Sequence, residues 1–249
     1  MTSSAPDIKP EETATEEQHA VSVIGCDQIG ILHACLFAKA GFKTVCADTN
    51  PTLVNLLSKG KVPFLDRETE NELKNHVKTG KITITSDAKT SVSKSKIIVI
   101  ATPVKIDAKG NIDYSNMENI CKVVGSGLGH GSTVIVISTV GPGVTEGLVK
   151  ETLENASGLK AGVGFGLVYS PIRGQEEHRS ETVTNSERLI AATDKNSLNL
   201  ASTILETVTK GSGLGAKFYQ PTTTCFTEKG LICAQSVQHA QHAQEYRIL

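Results

Sequence analysis

The chain has 249 residues, of which 39% are hydrophobic, 4% aromatic and 20% charged, and its formal net charge is −1. A charge this close to neutral gives no sign of a nucleic acid or an anionic membrane as partner. We expect no membrane span and no signal sequence, because the longest apolar run, residues 97–104, is too short to cross a bilayer. The six cysteines lack CxxC or metal-ligand spacing, so we expect no metal site and a reduced, cytoplasmic protein.

The first predicted elements follow a polar tail. Residues 1–19 are rich in acids, Ser and Thr, and we expect them to be disordered. The β-branched run over residues 21–24 predicts a buried strand that ends at Gly25. Apolar residues recur at helical spacing over Ile29–Ala40, which predicts a helix. The run Lys43–Ala47 predicts a second strand.

The turn between that strand and helix has the order of a dinucleotide-binding βαβ unit. Such a turn places backbone N–H groups and a helix N-terminus against a pyrophosphate. We assign Gly25, Cys26, Asp27 and Gly30 to the cofactor, although Asp27 stands where the usual pattern has its middle glycine. Asp48 ends the second strand and should accept hydrogen bonds from the adenosine ribose. Because no arginine follows it, NAD is favoured over NADP.

Helices and strands continue to alternate in the rest of the chain. The predicted helices are 50–58, 68–79, 88–93, 113–124, 145–155 and 196–209, and the predicted strands are 82–85, 97–101, 132–137, 162–170, 188–193 and 216–220. This order predicts an α/β fold with a Rossmann-like, doubly wound, mostly parallel sheet of about eight strands. Residues 222–246 predict one long C-terminal helix. We therefore expect a Rossmann-like NAD-binding domain over 20–221 and, over 222–249, the start of a truncated central or dimerisation region.

Two further loops fall at the carboxyl ends of predicted strands, where open α/β sheets bind their ligands. Thr102 and Pro103 follow one apolar strand, and a D-x-x-G-x-x-D pattern runs from Asp107 to Asp113 beyond them. The sequence STVGPG, which contains Ser138 and Thr139, follows the next strand.

Five blocks of the chain together resemble the NAD-binding domain of the UDP-glucose/GDP-mannose dehydrogenase family. They are VSVIGCDQIG, VCADTNP, IATPVKIDAKGNID, VISTVGPGVTE and SGLKAGVGFGLVYSPIRG, and the resemblance extends from Ala20 to Gln220. The short D-x-x-G-x-x-D loop is most similar to members that act on UDP-N-acetylhexosamines, such as UDP-N-acetyl-D-mannosamine dehydrogenases of polysaccharide biosynthesis. The resemblance implies NAD-dependent oxidation of a sugar C6 alcohol to a carboxylate, through a thiohemiacetal and a thioester on an active cysteine.

The resemblance also implies roles for individual positions. By position, the cofactor fingerprint comprises Gly25, Gly30 and Asp48. The residues on the nicotinamide side are Thr102, Pro103, Ser138 and Thr139. Lys229 is the catalytic helix lysine that helps to stabilise the developing oxyanion. Besides Asp27, two residues depart from the family pattern. Ile172 stands in place of a glutamate, beside a retained Arg173, and Cys233 stands in place of a helix asparagine. The cysteine-bearing, UDP-binding domain would follow the last residue of this chain.

Other polar groups have simpler interpretations beside the catalytic ones. Lys229 could be a solvated helix lysine, and Cys233 is better explained as a small packed thiol than as a substitute nucleophile. His239, His242 and Glu245 share a helix face but lack the further ligands of a metal site. The segment 176–178 is better explained as a charged surface loop than as catalytic.

These observations leave three hypotheses about function. The first is a truncated or split nucleotide-sugar 6-dehydrogenase, and the second is a non-catalytic relative that serves as a binding or assembly subunit. The third, a β-hydroxyacid-type dehydrogenase, is disfavoured by the two loops at the strand ends. The apolar residues of the C-terminal helix predict a homodimer, or a complex with a chain that carries the cysteine domain; they are Phe226, Leu231, Ile232, Val237 and Ala240.

Overall fold

A computed structural model describes residues 20–62, 64, 66–106, 112–171, 188–211 and 218–219 of the chain. The strands are β1 (Ala20–Ile24), β2 (Lys43–Ala47), β3 (Ile82–Thr85), β4 (Ile97–Ile100), β5 (Lys105–Ile106), β6 (Ile112–Asp113), β7 (Thr133–Val136), β8 (Gly166–Tyr169), β9 (Arg188–Leu189), β10 (Ala191–Ala192) and β11 (Phe218–Tyr219). The helices are α1 (Gln28–Lys39), α2 (Pro51–Ser58), α3 (Arg67–Lys78), α4 (Ala88–Ser93), α5 (Ser115–Gly127), α6 (Lys150–Ser157) and α7 (Lys195–Gly211), with a π-helical turn over Thr145–Val149 before α6.

The main sheet has seven strands in the order β10-β8-β7-β4-β1-β2-β3. All neighbours are parallel except β8 and β10, which are antiparallel. Counted from the other edge, six of these strands follow the order of the Rossmann fold, with the switch point between β1 and β4. The predicted Rossmann-like, mostly parallel fold is therefore confirmed.

The strand count differs from the prediction of about eight strands in one sheet. The expected strand 188–193 is divided into β9 and β10, and only β10 joins the main sheet. Strand β9 instead pairs in parallel with β11, the expected strand 216–220. A short antiparallel pair, β5 and β6, flanks the D-x-x-G-x-x-D loop.

Helices cover both faces of the sheet and bury one core on each face. One core contains residues of α1, α3 and α7 together with Val23 and Val99, and the other contains residues of α4, α5 and α6 together with Ile98 and Ile100. All four residues of β4 are buried, because successive side chains point to opposite, equally covered faces. This explains the uninterrupted apolar run that predicted a central parallel strand.

Local capping chemistry agrees with the sequence at α2 and differs at α5. Asn50 caps α2, and its side chain accepts hydrogen bonds from the N–H groups of Thr52 at 3.0 Å and Leu53 at 3.2 Å. The predicted helix 113–124 implied that Asp113 caps it, and this is wrong. Helix α5 begins at Ser115 with Tyr114 at the cap position, and the Asp113 carboxylate accepts from the N–H of Ser115 at 2.9 Å and from its side chain.

The predicted helix 145–155 is also modified at its start. Its first turn is π-helical, because the N–H of Val149 donates to the carbonyl of Val144 at 2.9 Å, five residues earlier. Regular α-helix follows from Lys150. The turn lies directly beyond STVGPG, and π-helical turns often occur at functional sites.

Several predictions concern residues outside the described ranges. They include the tail 1–19, the loop residues 107–111, the segment 172–187 with Ile172 and Arg173, and the C-terminal helix with Lys229 and Cys233. Within the described residues, every helix is too short or too polar to traverse a bilayer. The same residues contain no group of three His, Cys, Asp or Glu side chains able to hold a metal ion.

Candidate functional site

The turn from Gly25 to Gly30 is held together by contacts that only glycine permits. Gly25 has φ +96°, and a Cβ atom there would lie 2.8 Å from the carbonyl oxygen of Ala101. A Cβ atom on Gly30 would overlap the carbonyl oxygen of Gly25. The turn therefore packs directly against the end of β4, and the start of α1 packs against the turn. Both glycines are required by the protein's own packing.

Asp27 is the N-cap residue of α1. Its Oδ1 atom accepts a hydrogen bond from the N–H of Gly30 at 2.9 Å, and its carbonyl accepts from the N–H of Ile31 at 2.9 Å. The carboxylate thus lies at the positive end of the helix, where a phosphate would otherwise bind. The side chain is half-buried and borders the cleft described below.

Asp48 holds the end of β2 to the glycine turn. Its Oδ2 atom accepts from the N–H of Cys26 at 2.8 Å, and its Oδ1 atom accepts from the N–H of Asn50 at 2.8 Å. Each carboxylate oxygen can accept more than one hydrogen bond, so both retain the capacity to accept from ribose hydroxyls. The backbone contacts fix the carboxylate in place before any ligand arrives.

The cysteines near this turn are buried thiols. Cys26 belongs to the turn only through its backbone, because its side chain is fully buried together with Cys35 and Cys46. A hydrogen bond with Cys46 and burial raise the pKa of Cys26 well above its usual value, and burial raises the pKa of Cys35. Both groups are therefore neutral thiols rather than nucleophiles at physiological pH.

Two pockets of about 250 Å³ each meet at the carboxyl edge of the sheet. Both are bordered by Asp27, Thr102 and Pro103. The first pocket also has Asp48 and Asn50 in its wall, together with apolar residues of α2 and α5. The second has Ser138 to Gly141 along one side. Together they form one cleft across the switch point of the sheet, with the N-terminus of α1 at its centre.

The structure brings the predicted loop residues together in this cleft. Thr102 is 2% exposed, and its Oγ1 atom has no hydrogen-bond partner among the described residues. Ser138 is also buried and donates a long hydrogen bond of 3.4 Å to the carbonyl of Ile100. Pro103 and Thr139 line the same cleft and are exposed. Lys229 lies outside the described residues, so its position relative to these groups stays a prediction.

Tyr114 is a cleft residue that the sequence reasoning did not identify. Its hydroxyl oxygen accepts a hydrogen bond from the N–H of Gly141 at 2.9 Å, so the end of β6 is joined to the STVGPG turn. The one available signal was its position directly after the second aspartate of the D-x-x-G-x-x-D loop. The contact partner, 27 positions further along the chain, could not be identified from local pattern.

The cleft fits a dinucleotide. Thr102 borders both pockets, and its buried hydroxyl has no hydrogen-bond partner among the described residues. Asp48 offers oriented carboxylate oxygens on one side, and an apolar wall with Tyr114 and Ser138 faces the other. The residues that would hold the two nucleoside halves are thus on opposite sides of the α1 N-terminus. Asp27 is the one group that conflicts with a pyrophosphate there.

The chain is similar to several known proteins. It is 28% identical to UDP-N-acetyl-D-mannosamine dehydrogenase of Pyrococcus horikoshii over 192 residues, which are 77% of this chain and 45% of that protein. It is 31% identical to GDP-mannose 6-dehydrogenase of Pseudomonas aeruginosa over 156 residues, which are 61% of this chain and 35% of that protein. The structure of an NDP-N-acetyl-D-galactosaminuronic acid dehydrogenase from Methanosarcina mazei Go1 matches with a TM-score of 0.79 and 25% identity, over 90% of this chain and 46% of that one.

The chain thus spans less than half the length of each of these relatives. A family model described as the NAD-binding domain of the UDP-glucose/GDP-mannose dehydrogenases matches residues 19–209, which include every described residue of the cleft. NAD is the cofactor of this domain. The resemblance seen in the sequence blocks is confirmed, and the chain belongs to the UDP-glucose/GDP-mannose dehydrogenase family.

Proposed function

We propose that this chain supplies the NAD-binding half of a nucleotide-sugar 6-dehydrogenase, which oxidises the C6 alcohol of a UDP-sugar, in the first instance a UDP-N-acetylhexosamine, towards the uronate. The observation that carries the proposal is the cleft itself. Its two pockets meet at Asp27 and Thr102, and Asp48 lies on one side only. This asymmetry matches a ligand with two unlike nucleosides joined at the α1 N-terminus.

Each described residue of the cleft has a definite part in this proposal. Asp48 binds the adenosine ribose, and its fixed carboxylate would repel a 2′-phosphate, so that NAD is preferred over NADP. Thr102 borders both pockets and lies beside the cofactor near the pyrophosphate. Ser138 and Thr139 lie on the opposite wall and orient the ring that exchanges hydride. When bound, NAD supplies the hydride acceptor for the sugar carbon.

The remaining chemistry has to come from groups outside the described cleft. The described cysteines are all buried, so none of them is placed to attack a sugar substrate and hold a thiohemiacetal. The similarity implies a cysteine-bearing domain, in a further segment or a second chain, and Lys229 as the lysine that stabilises the oxyanion. Association with that domain through the segment 222–249 is part of the proposal, as is a homodimer through the same segment.

A complementation assay tests the proposal. This chain is incubated with NAD and a panel of UDP-sugars and GDP-mannose, with and without a separate chain that carries the cysteine domain of the family, and NADH fluorescence is followed. We expect NADH only when both chains are present, with a UDP-N-acetylhexosamine preferred over GDP-mannose. Groups that act together lose nearly all activity when one is missing, so the chain alone should form none. Binding of NAD without turnover in any combination would instead favour a non-catalytic binding or assembly subunit.

Cofactor choice provides an independent test of the same site. Asp48→Asn keeps the size and one carbonyl oxygen of the side chain but removes its charge. We expect the unsubstituted chain to bind NAD at least about tenfold more tightly than NADP, and the substitution to reduce that ratio. An unchanged ratio in calorimetric titrations would show that Asp48 does not meet the ribose.

A further inference from the structure

Two tyrosines hold consecutive amide groups of the STVGPG turn. The N–H of Gly141 donates to the Tyr114 hydroxyl at 2.9 Å. The backbone of Val140 hydrogen-bonds to the Tyr169 hydroxyl; burial raises the pKa of Tyr169 above its usual value, and this backbone contact acts in the opposite direction. A contact that lowers the pKa of a phenol donates to its oxygen, so the Val140 group is the N–H. The two phenol oxygens thus accept the two neighbouring N–H groups.

The two tyrosines differ in what surrounds their hydroxyl groups. Tyr169 is fully buried at the end of β8 and does not border the cleft. Tyr114 is half-buried, and it lines the second pocket together with Gly141, the residue whose N–H it accepts. Its hydroxyl oxygen is thus hydrogen-bonded to the backbone of a residue that also lines the pocket.

The hydrogen-bond capacity of Tyr114 is only partly used. A phenol has one proton to donate and can also accept, and the Gly141 N–H uses its accepting side. Accepting from an amide polarises the O–H group, so the remaining proton becomes a stronger donor. The turn no longer offers the Gly141 N–H to a ligand, because Tyr114 has taken it. The wall instead presents an O–H donor whose oxygen is 2.9 Å from that nitrogen.

The other walls of this pocket suit an aromatic ring. They include the side chains of Ile29, Val104 and Val140, so most of the surface is apolar. Nicotinamide is a flat ring whose polar substituent is a carboxamide, with one oxygen that accepts and one NH2 group that donates. A fixed O–H donor in an apolar pocket requires an acceptor, and the carboxamide oxygen is one.

We infer that the Tyr114 hydroxyl donates a hydrogen bond to the carboxamide oxygen of the cofactor and so selects the orientation of the nicotinamide ring. This inference rests on the proposed function, because it requires that the second pocket receive the nicotinamide half. Tyr114 is then a cofactor-contacting residue, and Tyr169 only supports the turn. The orientation of the ring decides which of its faces meets the sugar.

The experiment compares Tyr114→Phe with Tyr169→Phe, which remove the same atom from neighbouring contacts of one turn. Each full-length variant is titrated by calorimetry with NAD and with ADP-ribose, which has the same adenosine, pyrophosphate and second ribose but no nicotinamide. Both substitutions are repeated with Asp27→Gly in the same chain, so that tighter binding extends the measurable range. Thermal unfolding measures the structural effect of each change separately.

We expect Tyr114→Phe to weaken NAD binding by about threefold to tenfold and to leave ADP-ribose unchanged, as for the loss of one neutral hydrogen bond. Tyr169→Phe should lower the melting temperature without changing the ratio of the two affinities. Equal weakening of both ligands by Tyr114→Phe, or no weakening of NAD, would overturn the inference. Failure of both the unsubstituted chain and Asp27→Gly to bind either ligand would refute the cofactor site itself, which is a different result.

Discussion

Replacing Asp27 by glycine should tighten the binding of NAD. The Asp27 carboxylate caps α1 through the Gly30 N–H at 2.9 Å and borders both pockets of the cleft. A pyrophosphate that bridges the two pockets has to pass this point. In the unsubstituted chain the position is occupied by a negative charge, so we expect a dissociation constant for NAD in the high micromolar range or weaker.

The size of the effect follows from the competing charges. At an effective dielectric constant of about 20, two unit charges about 4 Å apart repel by about 4 kcal/mol. Asp27 is only half-buried, so solvent and salt reduce this value. The N-terminus of α1 stabilises a carboxylate by about 1 kcal/mol, and this is lost with the side chain. We expect a net gain in binding of about 1 to 3 kcal/mol, or about five- to 150-fold in affinity.

Asp27→Asn is the matched control, because asparagine is also a good N-cap residue and has nearly the same size. It removes the charge and keeps the steric bulk, so it should recover only the electrostatic part of the gain. Adenosine lacks phosphates and should bind equally to all three proteins. The assay is calorimetric titration with NADH. If the unsubstituted chain binds as tightly as the glycine variant, the carboxylate turns away from the phosphates and the reasoning is wrong.

Three further predictions concern stability and reactivity. Gly30→Ala should lower the free energy of unfolding by about 3 kcal/mol, because the new Cβ atom would overlap the Gly25 carbonyl. The control is Gly129→Ala, whose Cβ atom would have one neighbouring atom, at 3.9 Å, and should change this free energy little. Denaturant titrations measure both. The hydrogen bond from the Thr69 N–H lowers the pKa of Asp66, the cap residue of α3. The stabilisation of the fold by this carboxylate is therefore complete above its ordinary pKa of 3.8 and is lost as the pH falls through the lower folded value. Asp66→Asn should keep the cap but remove this pH dependence, and an unchanged acid profile would contradict the assignment. Burial raises the pKa of Cys121 to about 12, and the other described cysteines are equally buried. Iodoacetamide should therefore label Cys26, Cys35, Cys46 and Cys121 only after unfolding, as mass spectrometry would show. Fast labelling of the native chain at any of them would contradict the packing.

Local chemistry explains which parts of the fold could be predicted from the sequence. Helix α2 agrees with the predicted helix 50–58, because its Asn50 cap and its first-turn Pro51 act over a few residues. Strand β4 was predicted because a run of four buried residues is a local pattern. The glycine turn was predicted for the same reason, but the hydrogen bond from its Cys26 N–H to Asp48 was not predicted.

The features that were missed depend on contacts between distant segments. The division of 188–193 into β9 and β10 depends on which neighbour each half meets, and the sequence of the segment does not contain that information. The contact of Tyr114 with Gly141 requires β6 and the STVGPG turn to meet at one edge of the sheet. The π-helical turn over 145–149 changes the spacing of the apolar residues so little that the sequence predicts an ordinary helix.

The close packing of Gly30 against Gly25 shows that the glycines of such a fingerprint have two different roles, one in folding and one in binding a phosphate. At the first and last glycine a side chain has no room in the free protein, so these two positions report on whether the chain folds this way at all. The middle position accommodates Asp27 with ordinary backbone angles of φ −72° and ψ −171°, so folding places no such demand there. A glycine at that position would report on the ligand instead. When such a motif is found in another chain, the outer pair is evidence for architecture, and only the middle residue bears on how closely a phosphate can approach.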